Sequence, residues 1–285
     1  MKILICDLIG QDGIEYLKKK GYEVVVDQEM IADVDGLIVR GRTKVTKELI
    51  AMAKKLKVIA RSGTGLDNID LVAAKEKNIP VINAPGANAE SVAEHTMGFM
   101  LALARNLVPT VTMLKSGVWA KSDFRGMELM GKTLGIIGLG HIGKRVAELG
   151  RALGMNILEY VRGGDLNETL ANADFISLHL PLTDQTRGLF GAKEFGTMKK
   201  TAYFINTSRG AIVDEAALIS ALKNGTIAGA ALDVYATEPL PPENELLKLP
   251  NVLVTPHVAA ISREGENRAS RMIAKDIDRI LKETP

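Results

Sequence analysis

Three polar residues, Arg209, Glu238 and His257, stand in otherwise apolar stretches of this sequence and could together interconvert an alcohol and a ketone. They occur in Ile205-Asn206-Thr207-Ser208-Arg209-Gly210, in Ala231-Leu232-Asp233-Val234-Tyr235-Ala236-Thr237-Glu238-Pro239, and in Val254-Thr255-Pro256-His257. Each segment follows a run that reads as a strand, and in open α/β sheets ligands bind beyond the carboxyl ends of the strands. The reaction needs a hydride carrier, a general acid/base at the oxygen and a cation for a substrate carboxylate. His257 suits the acid/base task because imidazole titrates near neutrality. Glu238 could orient it and favour its protonated form, while Arg209 could grip the carboxylate and polarise the carbonyl. Singly, each has a plainer explanation: a structural ion pair for Arg209 and Glu238, a loop histidine for His257. Their joint occurrence after successive strands favours the catalytic explanation.

A hydride carrier is suggested by Gly138-Leu139-Gly140-His141-Ile142-Gly143, which follows the apolar run Thr133-Leu134-Gly135-Ile136-Ile137 and opens a helical stretch, 144–153. In a dinucleotide-binding turn the first glycine (Gly138) permits the tight bend and the second (Gly140) lets a pyrophosphate approach the backbone. The third, Gly143, lets helix and strand pack closely. Amides at the helix N-terminus then bind the phosphates. A lone glycine pattern can simply relieve sterics, but here strand, helix and a second strand, Asn156–Tyr160, stand in the required order. That second strand should end near a carboxylate for the adenosine ribose of NAD. It runs instead into Val161-Arg162-Gly163-Gly164, a pattern that favours NADP, with Arg162 on the 2′-phosphate. NAD stays open, with Arg162 a solvated charge.

These groups must be positioned by the elements around them. Short β-branched runs at 3–6, 24–26, 37–39, 58–60 and 81–82 read as strands, with helices at 14–20 and 47–54 between them. A second series is expected at 133–138, 156–160, 175–179, 203–206, 229–231 and 252–254. The alternation predicts an α/β fold of two doubly wound parallel-sheet domains, Rossmann or flavodoxin-like, with a cleft between them. A buried helix at 89–105 is expected to bridge the domains, and a helix at 263–282 to return to the first. The expected division is therefore 1–88 plus 263–285 for the substrate domain and 89–262 for the cofactor domain.

Composition narrows the class further. The 285 residues are 46% hydrophobic and 25% charged, enough for a sizeable core, and the formal charge of +2 comes without any basic run. Nucleic acid and anionic membranes are not expected partners, and no metal site is expected. The single cysteine, Cys6, reads as a buried strand residue. With neither a signal-peptide pattern nor a long uncharged apolar run, a cytoplasmic protein is expected.

The sequence resembles the D-isomer-specific 2-hydroxyacid dehydrogenases over nearly its whole length. The likeness rests on Arg61-Ser62-Gly63-Thr64-Gly65-Leu66-Asp67-Asn68-Ile69-Asp70, Asn83-Ala84-Pro85-Gly86, Glu94-His95-Thr96, the glycine turn, Ser208-Arg209-Gly210-Ala211-Ile212-Val213-Asp214, and the Glu238 and His257 segments. The resemblance implies catalytic roles for Arg209, Glu238 and His257. It also implies that the loop of Ser62 and Gly63 presents amides to the substrate carboxylate and that Thr64 approaches the nicotinamide end. By the same likeness the amides of His141 and Ile142 meet the pyrophosphate, Asp233 holds the nicotinamide carboxamide and Leu180 borders the adenosine. Thr207 joins the cofactor-binding set.

Within the family, Leu37-Ile38-Val39-Arg40-Gly41-Arg42-Thr43-Lys44-Val45-Thr46 looks most like phosphoglycerate dehydrogenases, which implies Arg40 and Arg42 for a substrate phosphate. Surface charges or a domain-interface pair are the alternative. The expected reaction is hydride transfer between NAD(P) and a small D-2-hydroxy or 2-keto acid, 3-phosphoglycerate first. Glyoxylate or hydroxypyruvate reduction is an alternative, and a nucleotide-sensing binding protein without catalysis is another. Two departures stand out: the 162–175 segment is short for the family, and the ribose carboxylate is missing. The chain's end at Pro285 leads to the expectation of no regulatory domain and no serine feedback. A homodimer is implied by resemblance, with Trp119 and Phe124 in 106–130 as anchors or, for Trp119, as an intradomain packing residue.

Overall fold

The structure, a computed structural model, describes residues 1–119, 121 and 124–283. Residues 120, 122 and 123 of the expected interface segment, and 284–285 of the expected substrate domain, lie outside the described residues. Two compact units are present, Met1–Ala89 with Ile261–Pro285, and Glu90–Ala260.

In the first unit β1 (Lys2–Ile5), α1 (Gln11–Lys19), β2 (Glu23–Val25), β3 (Gly36–Val39), α2 (Lys47–Met52), β4 (Val58–Arg61), α3 (Leu71–Glu76) and β5 (Val81–Asn83) alternate. Their strands are all parallel, in the order β2-β1-β3-β4-β5, which is the flavodoxin-like order. β3 is buried along its whole length because helices cover both faces of the sheet, hence its unbroken apolar run. One face packs on Leu17 and Tyr22 and on Ile273, Ala274, Ile277 and Leu281 of the C-terminal helix, Arg263–Glu283. Those four recur at helical spacing and form its apolar stripe. The buried Asp278 on this helix accepts from the hydroxyl of Tyr22 at 3.0 Å and from Lys282 Nζ at 3.0 Å, so its charge is not left unpaired in the core.

Cys6 departs from expectation. It lies one residue past β1 and is only partly buried, its amide bonded to the carbonyl of Ile38 at 2.9 Å. Burial, with Asp7 beside it, still pushes its thiol up to about 11, which keeps it un-ionised and poorly reactive at neutral pH.

The second unit contains α4 (Ala89–Ala104, from its second residue), α5 (Leu107–Lys115), β6 (Thr133–Ile137), α6 (His141–Ala152), β7 (Asn156–Tyr160), α7 (Leu166–Asn172), β8 (Phe175–Leu178), α8 (Ala192–Thr197), β9 (Tyr203–Asn206), α9 (Glu215–Lys223), β10 (Gly229–Leu232) and β11 (Val252–Val254). The sheet is again parallel, ordered β11-β10-β9-β8-β6-β7. The chain reverses direction of travel at β6, so the turn after β6 sits at the switch point where α/β sheets bind ligands. Dinucleotide-binding sheets usually carry one more strand outside the second. Among the described residues none lies there, and β7 is the edge. The short 162–175 segment explains this: after Val161 it holds only α7, which crosses directly to β8.

α5 was not expected. Its Pro109 sits in the first turn, where a missing amide costs nothing, and Asn106 caps it from the left-handed region at φ 52°. No residue of α5 is buried, although Leu107, Val108, Val111 and Leu114 are apolar.

Candidate active site

His257 and Glu238 meet at the carboxyl edge of the second unit's sheet. Nδ1 of His257 lies 2.6 Å from Oε2 of Glu238, and the other oxygen of Glu238 accepts the Tyr235 amide at 3.0 Å. Burial alone would raise the Glu238 carboxyl. The hydrogen bonds from His257 and Tyr235 and the charges of His257 and Arg209 outweigh it and hold the group below the usual carboxylate range. An ionised Glu238 can only accept, so Nδ1 carries the proton and Nε2 is the atom left for a substrate oxygen.

Arg209 follows β9. Asn206 shapes its loop, donating from Nδ2 to the Arg209 carbonyl at 3.0 Å and accepting the Ser208 amide at 3.0 Å and hydroxyl at 2.8 Å. One guanidinium nitrogen donates to the Ser208 carbonyl at 2.7 Å. Gly210 has no room for a side chain, since a Cβ there would fall on the backbone of Tyr235. This close approach brings the Arg209 loop against the loop that carries Glu238, close enough for the guanidinium's charge to act on that carboxylate.

Asp233 is 1% exposed. Its Oδ1 accepts the Thr255 hydroxyl at 2.5 Å and the Val258 amide at 2.8 Å, and its Oδ2 accepts the Ala259 amide at 2.8 Å. These three bonds clamp the His257 loop to the end of β10. His257 itself sits at φ 54°, a left-handed conformation that costs a non-glycine residue energy and persists only where neighbours enforce it.

The turn after β6 fits a dinucleotide pyrophosphate. Gly138 has φ 102°, and a Cβ on Gly143 would fall on the Gly138 carbonyl, so strand and helix touch there. Around Gly140 a Cβ would meet nothing within 4 Å, which leaves the approach to the backbone open. The first bond of α6 runs from the Lys144 amide to the Gly140 carbonyl at 3.1 Å, so the amides of His141, Ile142 and Gly143 precede the helical ladder, as a phosphate requires. Leu180 packs against Gly138, and the Thr207 hydroxyl lies 3.2 Å from that of Thr96. On the adenosine side, Val161 is exposed and Arg162 bonds Gln185 of the loop after β8. The acids three residues to either side of Arg162 are engaged: Glu159 pairs with Arg151 at 2.6 Å, and Asp165 caps α7 by accepting the Glu168 amide at 3.2 Å.

The residues expected at the substrate and at the nicotinamide end lie in the first unit. Arg40 pairs with Glu266 of the C-terminal helix at 2.5 Å, a pair within the first unit and not the expected domain-interface pair, because a half-buried guanidinium needs a carboxylate. Only Arg42 of the two is exposed on its loop. The amides of Ser62 and Gly63, expected to face a substrate, donate to the carbonyls of Val39 at 2.8 Å and Arg61 at 2.9 Å: the first extends the sheet ladder, the second closes a tight turn. Thr64 is exposed, its hydroxyl 3.1 Å from Asn88 Oδ1.

Residues 97–259 match the family model described as D-isomer specific 2-hydroxyacid dehydrogenase, NAD binding domain. The chain belongs to the D-isomer specific 2-hydroxyacid dehydrogenase family. Its relatives in that family include a D-3-phosphoglycerate dehydrogenase of Methanocaldococcus jannaschii, 45% identical over 99% of the chain but matched over only 58% of its own length. A hydroxypyruvate reductase of Thermotoga maritima is 44% identical, with 90% of this chain and 86% of that protein aligned. Among solved structures, the TT0316 protein of Thermus thermophilus superposes with a TM-score of 0.92 at 34% identity, covering 99% of this chain and 97% of that one. The chain therefore spans little more than half the length of the phosphoglycerate dehydrogenase it matches and most of the reductase.

In this 2-hydroxyacid dehydrogenase family member two further residues shape the site, although their types alone do not single them out. Tyr235 supplies the amide that steadies Glu238, and its hydroxyl bonds the Thr255 carbonyl at 2.8 Å. Asn206 orders the Arg209 loop. Both could have been suspected as polar residues ending or following apolar strands at the ligand edge.

Proposed function

We propose that this protein transfers a hydride between a nicotinamide dinucleotide and a small D-2-hydroxy or 2-keto acid. The observation that carries the proposal is the His257–Glu238 pair at 2.6 Å, with Arg209 held in an adjoining loop of the same unit. A bound nicotinamide dinucleotide supplies or accepts the hydride; the residues do the rest. In ketone reduction His257 donates a proton from Nε2 to the carbonyl oxygen as it becomes an alkoxide, and in oxidation Nε2 takes that proton back. Ionised Glu238 stabilises the imidazolium form in both directions. Arg209 neutralises the substrate carboxylate and polarises the carbonyl. Amides of His141, Ile142 and Gly143 hold the pyrophosphate.

For the cofactor we propose NADP ahead of NAD, supported by Val161 in place of a ribose carboxylate and by Arg162 beside it. For the substrate, 3-phosphoglycerate is supported by the likeness to phosphoglycerate dehydrogenases and by exposed Arg42. Hydroxypyruvate or glyoxylate is the second reading, favoured by the Arg40–Glu266 pair, which takes one of the two arginines from a phosphate, and by the reductase that the chain matches over most of its length.

We also propose a homodimer in the cytosol. The proposal is supported by Trp119, 79% exposed, and by the exposed apolar residues Leu107, Val108, Val111 and Leu114 of α5, side chains of the kind that subunits cover. Purified protein mixed with NADH or NADPH and each keto acid, followed by loss of reduced-nicotinamide absorbance, tests cofactor and substrate together. Oxidation of NADPH by hydroxypyruvate or 3-phosphohydroxypyruvate is expected; no turnover with any pair would overturn the proposal.

A further inference from the structure

His95 lies at the middle of α4 and takes no direct part in the chemistry above. Its ring packs edge-on against Phe99, with centroids 4.5 Å apart and planes at 74°, and its Nε2 lies 3.2 Å from the hydroxyl of Thr255. That hydroxyl is 2.5 Å from Asp233 Oδ1, and Asp233 in turn holds the amides of Val258 and Ala259.

The chemistry of the groups fixes the direction of this chain. Asp233 receives amide protons on both oxygens and serves as acceptor, so the Thr255 hydroxyl spends its single proton on Oδ1. The Thr255 oxygen must then accept from His95, which places a proton on His95 Nε2. Both the neutral Nε2–H tautomer and the imidazolium satisfy that demand, so protonation of the other ring nitrogen leaves the chain intact.

The far end of the chain bears on His257. Val258 and Ala259 follow it directly, and its own amide donates to the Thr255 carbonyl at 3.1 Å, so His257 and the two residues after it are tied to Thr255 and Asp233. These ties hold a left-handed backbone that His257 would not choose by itself. The neighbouring Thr96, whose hydroxyl lies 3.2 Å from that of Thr207, gives α4 a second footing, on the loop that leads to Arg209.

We propose that His95 is a positioning residue: through Thr255 and Asp233 it fixes the loop that aims Nε2 of His257 at the reacting oxygen. The proposal rests on the reading of His257 as acid/base. A loosened loop would still bind cofactor and substrate but would present Nε2 at the wrong distance, and misplacement of about 1 Å costs up to a hundredfold in rate. The burden therefore falls on kcat rather than on KM.

The test compares His95→Leu, which keeps an apolar side chain against Phe99 but removes the donor, with His95→Gln, whose amide nitrogen reaches the position of Nε2. Thr255→Val interrupts the same chain one step further on. In His95→Leu, kcat is expected to fall about tenfold with KM changed less than about twofold, and His95→Gln is expected to recover to within about threefold of the unmodified protein. Amide hydrogen exchange at Val258 and Ala259, read by NMR without any substrate, should accelerate in His95→Leu and Thr255→Val and not in His95→Gln. Unaltered exchange in His95→Leu, or a glutamine variant no better than leucine in kcat, would overturn the proposal. Absence of turnover in the unmodified protein would instead refute the acid/base reading, and the exchange rates would still decide whether His95 holds the loop.

Discussion

Glu238 and His257 stand 19 residues apart in sequence, yet their side chains share a hydrogen bond of 2.6 Å, with the glutamate held ionised by its partners. Loss of the carboxylate charge in Glu238→Gln removes what favours the protonated imidazole. The optimum of ketone reduction is expected to move to lower pH by about one unit, with a pH–rate profile as the measurement. An unmoved profile would show that Glu238 only orients the ring.

Arg209 has a planar fork that lysine cannot reproduce. Arg209→Lys keeps the positive charge, and kcat/KM for the keto acid should still fall by about ten- to a hundredfold, because bidentate geometry and carbonyl polarisation are lost together. Steady-state kinetics at saturating cofactor measure it, and a variant within twofold of the parent would mean that charge alone suffices.

On the proposed NADP reading, Val161 stands where a ribose carboxylate would repel a 2′-phosphate. Val161→Asp is expected to weaken NADPH binding about tenfold or more and to strengthen NADH binding, read by quenching of protein fluorescence or by calorimetry. Equal effects on both nucleotides would locate the discrimination elsewhere.

His179 follows β8 with its Nδ1 buried and without a partner among the described residues, and with Nε2 2.9 Å from the Ser177 hydroxyl. Burial lowers its pKa from 6.5 to about 3. The unfolded chain therefore binds this proton first: the contribution is intact above about pH 6.5 and is lost as pH falls toward 3. Stability should decline by up to about 1.4 kcal/mol per pH unit in that window from this group. Denaturant titrations between pH 7 and 4 follow the loss, and NMR should find the His179 ring neutral down to about pH 4. A ring that titrates near 6.5 would contradict the burial argument.

Much of this architecture was legible in the sequence, and the misses have physical causes. The expected strands coincide with β1 to β11 within a residue or two because parallel strands buried on both faces must be short β-branched runs between polar helices. α5 escaped because its proline and its all-round apolar surface lack the stripe of a core helix. Arg209, Glu238 and His257 stood out because each interrupts an apolar run. The fate of Arg40 could not be read, since Glu266 lies 226 residues away and pairing across such a separation leaves no local trace. The same holds for the grip of Asp233 on the loop after His257, whose amides lie 25 and 26 residues further on.

Turnover of a 2-keto acid by the unmodified protein and by His257→Ala, at matched and verified cofactor occupancy, tests the central claim most directly. The unmodified protein should oxidise reduced nicotinamide in the presence of the acid, and His257→Ala should bind cofactor equally well while turning over about 10² to 10⁴ times more slowly. Equal rates in the two proteins would contradict proton transfer by His257.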